Sequence, residues 1–168
     1  PPPTRRVLVD VGANGFFASP KYLLDSYAPF LPFTHAIMIE PEPHFKASIP
    51  QVYMDRYNIS FWQIYAEVAT NSDTDMLKLL PKMVTKDDFV VLKFDVDPNR
   101  YAYGPTMEWG FLFSIMSQPE IAELVDELYI ELHFHFPALF WKHYHSNWEA
   151  LDAIRYLRSK GAIVHAWP

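Results

Sequence analysis

The sequence predicts an α/β fold in which a mainly parallel sheet carries helices on both faces. Three observations predict it. Six short apolar runs recur along the chain, longer helix-compatible segments separate them, and two loop-like stretches, "PEPHF" and "DPNRYAYGP", follow the ends of strand-like runs. Those ends form the edge of an open α/β sheet where ligands bind.

The elements follow in order. "RVLVDV" is the first strand, rich in valine as buried strands tend to be. Ser19 and Pro20 then open a helix, with serine as N-cap and proline at the first helical position. It continues through "KYLLDSYAPF", with Tyr22, Leu23 and Tyr27 at helical spacing. "HAIMIE" is the second strand. "PHFKASIPQVYMDRY" is a helix that Pro50 must break or restart. "ISFWQIY" is the third strand, "SDTDMLKLLPKM" a capped short helix, and "FVVLKFDV" the fourth strand. "TMEWGFLFSIMSQPEIAELVDE" holds helix split near Pro119, and "ELYIELHF" is the fifth strand. In "SNWEALDAIRYLRSKG" Ser146 caps a helix, Glu149 completes a capping box and Gly161 closes it. Its expected inward stripe is Trp148, Leu151, Ile154 and Leu157, and "AIVHAW" is the last strand.

Composition narrows the function classes. The 168 residues suit a single domain spanning 1–168, and no repeat, low-complexity tract or linker divides them. Half the residues are hydrophobic and 17% aromatic, which excludes disorder. A net charge of −6 without a basic stripe argues against nucleic acid as a partner. With no cysteine there are no disulfides or thiolate metal sites, and the compartment stays open. No apolar run approaches the ~20 residues of a membrane span, and no secretory leader is visible.

Chemistry concentrates at the strand ends. In "VLVDVGANGF", Gly12 allows a sharp turn after the strand and leaves room for a ligand. A dinucleotide turn would read G-x-G-x-x-G, yet Asn14 and Phe16 break that pattern. Asp10, just ahead of the glycine, would repel a pyrophosphate and suits a cationic or neutral hydrogen-bond donor. A purely structural turn is the alternative. Glu40 closes the second strand before Pro41, where a carboxylate can accept both hydroxyls of a ribose.

The stretches "VDVGANGFFASPKYLLDSY", "AIMIEPEP", "VVLKFDVD" and "DELYIELHFHF" resemble the FkbM-type branch of class I S-adenosylmethionine-dependent methyltransferases. That branch has a D-V-G-A-N turn, an E-P-x-P after its second strand, and a lysine–aspartate–acidic pattern ending its fourth. The resemblance extends to about residue 136 and implies a Rossmann-like methyltransferase sandwich of strand order 3-2-1-4-5, with the last strand near one edge. It implies S-adenosylmethionine as cofactor and a small-molecule or glycan oxygen as methyl acceptor. Position by position, it assigns Asp10, Gly12 and Asn14 to the methionine and ribose side and Glu40 to the ribose hydroxyls. Glu67 falls towards the adenine and Asp95 beside the methionine end. Two departures stand out: Phe16 occupies a position usually held by glycine, with Gly15 as the compensating candidate, and the family's seventh strand is not evident before residue 168.

A last constellation joins "KFDVD" to "ELHFHF". Asp95 and Asp97 alternate on one strand, as do Glu131, His133 and His135 on the next. Asp97, Glu131 and His133 are the candidate catalytic residues, with His133 as the base that deprotonates the acceptor. The same set reads alternatively as strand-end capping or as a divalent-metal site, and no residue is assigned as a metal ligand. The aromatic run "HFHFPALFWKHYH" is a candidate lid over an acceptor pocket, or core packing. The leading rival function is a methyltransferase-like domain without catalysis that serves as a structural or interaction module. A nicotinamide oxidoreductase comes third, against the missing glycines.

Overall fold

The computed structural model of the chain describes residues 3–96, 107–132 and 146–167. Its strands are β1 (Arg6–Val11), β2 (His35–Ile39), β3 (Asn58–Trp62), β4 (Phe89–Phe94), β5 (Glu127–Ile130) and β6 (Ile163–Ala166). They form one six-stranded sheet of order β3-β2-β1-β4-β5-β6, and every neighbouring pair runs parallel. This is the doubly wound α/β arrangement expected from the alternating pattern, with the last strand at an edge.

The inner strands β1, β2 and β4 are buried after their first residue, because helices cover both faces. Val7, Val9 and Val11 of β1, with Val90, Leu92 and Phe94 of β4, belong to one core cluster. That cluster packs on α3 (Met76–Met83), α4 (Met107–Ser117), α5 (Pro119–Ala122) and α6 (Asn147–Ser159). Leu8 and Val91 point the other way, to the cluster built with Leu23 and Leu24 of α1 (Ser19–Tyr27). Phe45, Ile49 and Tyr57, which flank α2 (Gln51–Arg56), complete that second cluster. Asp10 and Lys93 occupy the α1 side by the same alternation, and the register sets them directly opposite each other.

Local signals behave as the chain predicts at several breaks. Pro50 ends a short 3-10 turn (Lys46–Ser48) and stands as N-cap of α2. Pro119 separates α5 from α4. Ser146 and Glu149 form the full capping box of α6, and Gly161 follows its end at φ +98°.

Three expectations need correction. Ser19 is not an N-cap: it lies inside α1, with Ala18 at the cap, and its hydroxyl is used elsewhere. Within α1 the buried positions are Ser19, Pro20, Leu23 and Leu24, while Tyr22 is exposed. The inward stripe of α6 is Ala150, Ala153 and Leu157, with Trp148 72% and Leu151 41% exposed. Two of the three buried side chains are small alanines, so the stripe is rotated from the one that the largest apolar side chains suggest.

Candidate functional site

Four strand ends converge on a cavity of about 480 Å³ at the carboxyl edge of the sheet. The size suits a nucleoside-sized or drug-sized ligand. Its wall includes Gly12 and Asn14 after β1, Ile39, Glu40 and Pro41 at the end of β2, and Ile64, Tyr65 and Ala66 after β3. Asp95 and Val96 after β4 and Met107 at the start of α4 complete the described lining. The cavity spans the point where the strand order reverses between β1 and β4, where open α/β sheets bind ligands.

The β1 turn is held from two sides. The amides of Gly12 and Ala13 donate to the carbonyl of Ile39 at 3.0 and 3.4 Å. Gly12 has φ +76°, and a Cβ built on it would stand 1.8 Å from the carbonyl oxygen of Asp95. The space left by its missing side chain is therefore filled by the β4 backbone, not kept for a ligand. Asn14 also takes a left-handed conformation, at φ 54°, which asparagine tolerates better than most residues. Its amide donates to Glu40 Oε2 at 2.8 Å, and the Glu42 amide donates to Glu40 Oε1 at 3.1 Å. Two backbone donors thus fix both oxygens of the Glu40 carboxylate at the cavity wall, and each oxygen keeps acceptor capacity.

Beneath the turn lies a charged network that the sequence reading did not single out. The Lys93 ammonium, on a side chain 1% exposed, donates to the Gly12 carbonyl at 2.7 Å. It also lies 3.0 Å from Asp95 Oδ2 and 3.3 Å from Asp10 Oδ1. Ser19 Oγ donates to Asp10 Oδ2 at 2.8 Å, whereas Oδ1 meets Lys93 as an ion pair without a well-directed hydrogen bond. Burial pushes the Asp10 carboxyl above its usual range, and the charge of Lys93 and the Ser19 hydrogen bond act against that rise. The lysine was visible in "KFDVD", but its role depends on a neighbour 83 positions earlier.

The expected site residues divide accordingly. Gly12, Asn14, Glu40 and Asp95 meet at one cavity. Asp10 does not join them: it is fully buried behind the turn, where Lys93 supplies its cationic partner. Glu67 is also turned away. Its carboxylate accepts from the hydroxyls of Ser72, Thr74 and Thr70, which hold it below the usual carboxylate range. That cluster closes the loop leading to α3, and the lining at that corner is Tyr65 and Ala66. Glu131 lies past the end of β5 and lines a different cavity, against His165, Trp167 and the first turns of α6. Asp97, His133, His135 and the aromatic run that follows them lie outside the described residues.

Phe16 has a clear position. It is fully buried, packs edge-on to Phe17 and Tyr53 with centroids 5.6 and 4.8 Å away, and belongs to the α1-side core. Its ring lies under the turn, and Phe16 is not among the cavity's lining residues. A Cβ on Gly15 would meet nothing within 4 Å.

No protein-family model matches the chain, and no curated protein matches it. Among the described residues no helix is long and apolar enough to cross a membrane, and no group of three metal-ligating side chains converges.

Proposed function

We propose that the cavity binds S-adenosylmethionine and that the protein is a methyltransferase acting on an oxygen of a small molecule or glycan. One observation carries the cofactor reading. Two carboxylates, Glu40 and Asp95, share the cavity wall, and the described lining contains no basic side chain. Such a wall disfavours a pyrophosphate and suits a ligand with ribose hydroxyls at one end and positive charge at the other.

The donor set fits that ligand in its parts. Glu40, held by the Asn14 and Glu42 amides, is placed to accept from paired hydroxyls. Ile39, Ile64 and Ala66 offer apolar surface on which a purine can lie. In this reading the Asp95 carboxylate, which also pairs with Lys93 at 3.0 Å, meets the ligand's ammonium. Because Phe16 packs in the core, its departure from the family pattern does not narrow the cavity.

When bound, the cofactor supplies a methyl group on a positively charged sulfur. The chain's own contribution is to hold that end beside Asp95, to exclude water with the apolar wall, and to align an acceptor hydroxyl. Deprotonation of the acceptor falls in this reading to Asp97 or His133 and not to Glu131, which lines the other cavity. The oxygen acceptor follows from the resemblance to FkbM-type enzymes.

The test is a calorimetric titration of the protein with S-adenosylhomocysteine and, separately, with NAD. Saturable binding of the first and none of the second is expected. Absence of S-adenosylhomocysteine binding at millimolar concentration overturns the reading.

A further inference from the structure

We infer that Lys93 is the positioning residue of this cavity: its buried ammonium holds the Gly12 carbonyl and the Asp95 carboxylate in their binding arrangement without itself facing a ligand. The inference rests on reading the cavity as a ligand site, whatever the ligand is.

The geometry separates two tasks for one ammonium. Asp10 and Lys93 are register partners on β1 and β4, both on the α1 face, and both inaccessible to water. A buried carboxylate needs a compensating charge, and that need alone would explain a lysine here. Yet Asp10 is the most distant of the three acceptors, at 3.3 Å. The shorter approaches, 2.7 Å to the Gly12 carbonyl and 3.0 Å to Asp95 Oδ2, go to residues of the cavity wall. The ammonium's hydrogen bond goes to the Gly12 carbonyl, and the two carboxylates meet it as ion pairs.

The same contacts tie the two sides of the wall together. Gly12 lies against the Asp95 carbonyl, which brings the β1 turn and the β4 end into backbone contact. Lys93 spans that junction from below, while Ser19 anchors Asp10 to the first turn of α1. With the turn loosened, Asn14 would no longer keep its amide on Glu40, and both carboxylates of the wall would lose their fixed spacing. Supporting contacts of this kind set how well a site is preorganised.

The experiment compares Lys93→Met with the double variant Lys93→Met/Asp10→Asn. The single variant leaves a buried carboxylate unpaired, so a large fall in its melting temperature is expected under either role. The double variant removes both charges and recovers most of that loss. If Lys93 positions the wall, the double variant still shows displaced Gly12 and Asn14 amide resonances. Their hydrogen exchange is faster, and S-adenosylhomocysteine affinity is down by about tenfold or more. Return of the amide signals and the affinity together with stability would show that Lys93 only neutralises Asp10, and would overturn the inference. The amide signals need no ligand, so they decide the role of Lys93 even where the wild type fails to bind S-adenosylhomocysteine and the cofactor reading falls. Should the double variant not fold, the wild-type protein labelled with 15N-lysine decides instead. One ammonium signal protected from solvent exchange and correlated with the Gly12 carbonyl supports the arrangement, and its absence refutes it.

Discussion

Gly12 and Asp95 are in backbone contact: a methyl group on Gly12 would fall 1.8 Å from the Asp95 carbonyl oxygen. The glycine is thus required by the neighbouring strand as well as by its φ of +76°. Gly12→Ala is expected to destabilise the fold by roughly 2–4 kcal/mol, combining left-handed strain with overpacking. Gly15→Ala, with open space around it, is expected to be neutral or slightly stabilising. Urea unfolding of the two variants checks the contrast, and equal losses would refute it.

The Glu40 carboxylate serves two amides at once. Glu40→Gln keeps the shape but turns an NH2 group against one of them, so stability should drop by about 1–3 kcal/mol. If the cavity binds S-adenosylhomocysteine, affinity should fall about tenfold or more in calorimetry. Unchanged affinity would place the ribose elsewhere.

Acid stability should depend on Asp88. The Arg5 guanidinium grips it through Nε at 2.9 Å and Nη2 at 2.5 Å, and Thr85 donates its amide at 2.8 Å. The Arg5 hydrogen bond, with help from Thr85, lowers the Asp88 carboxyl to about 2. A depressed carboxyl contributes stability that is full above its unfolded value near 4 and disappears as pH falls towards about 2. The contribution is on the order of 2 kcal/mol. Asp88→Asn should therefore be less stable at pH 7, and the gap to wild type should close between about pH 4 and about pH 2. A gap that persists at the acid end would assign the loss to packing.

At the other end of the pH scale, Tyr27 and Tyr129 should ionise late. The Tyr27 hydroxyl donates to Glu127 Oε2 and lies 3.1 Å from the Tyr129 hydroxyl. Burial first, then the Glu127 hydrogen bond, raise the Tyr27 phenol above its ordinary value, and burial likewise raises Tyr129. A raised phenol contributes stability that is complete below about pH 10 and is lost as pH climbs above it. Tyr27→Phe should be less stable by about 1 kcal/mol at neutral pH and should unfold less steeply in alkali than wild type. Absorbance titration of the folded protein should show fewer late-ionising phenols in the variant.

On α6, size and burial disagree. Ala153 is fully buried, whereas Leu151 is 41% exposed. Ala153→Leu is expected to cost about 1–3 kcal/mol by overpacking. Leu151→Ser should change stability by less than about 1 kcal/mol. Thermal melts of both variants test the assignment of the inward face.

The chain's own pattern determined the six strands, their parallel arrangement, the proline breaks at Pro50 and Pro119, and the capping box of Ser146 and Glu149. These are written in local terms: alternation, run length, and side chains that satisfy backbone groups a few residues away. It also placed Gly12, Asn14, Glu40 and Asp95 at strand ends, and strand ends of a parallel sheet gather at one edge by geometry. Tertiary structure alone decided which way the side chains there turn. Asp10, still within β1, is met by Lys93 across the β1–β4 register, and Glu67 has three hydroxyls within its own loop. Phe16 reads as an intrusion into a glycine turn until Tyr53 and Phe17 are packed around it. The inward face of α6 carries Ala150 and Ala153 and leaves Trp148 exposed. For Asp10 and Phe16 the deciding partner, Lys93 or Tyr53, is distant in the chain, whereas the hydroxyls around Glu67 are local but side-chain contacts of this kind are not carried by local periodicity.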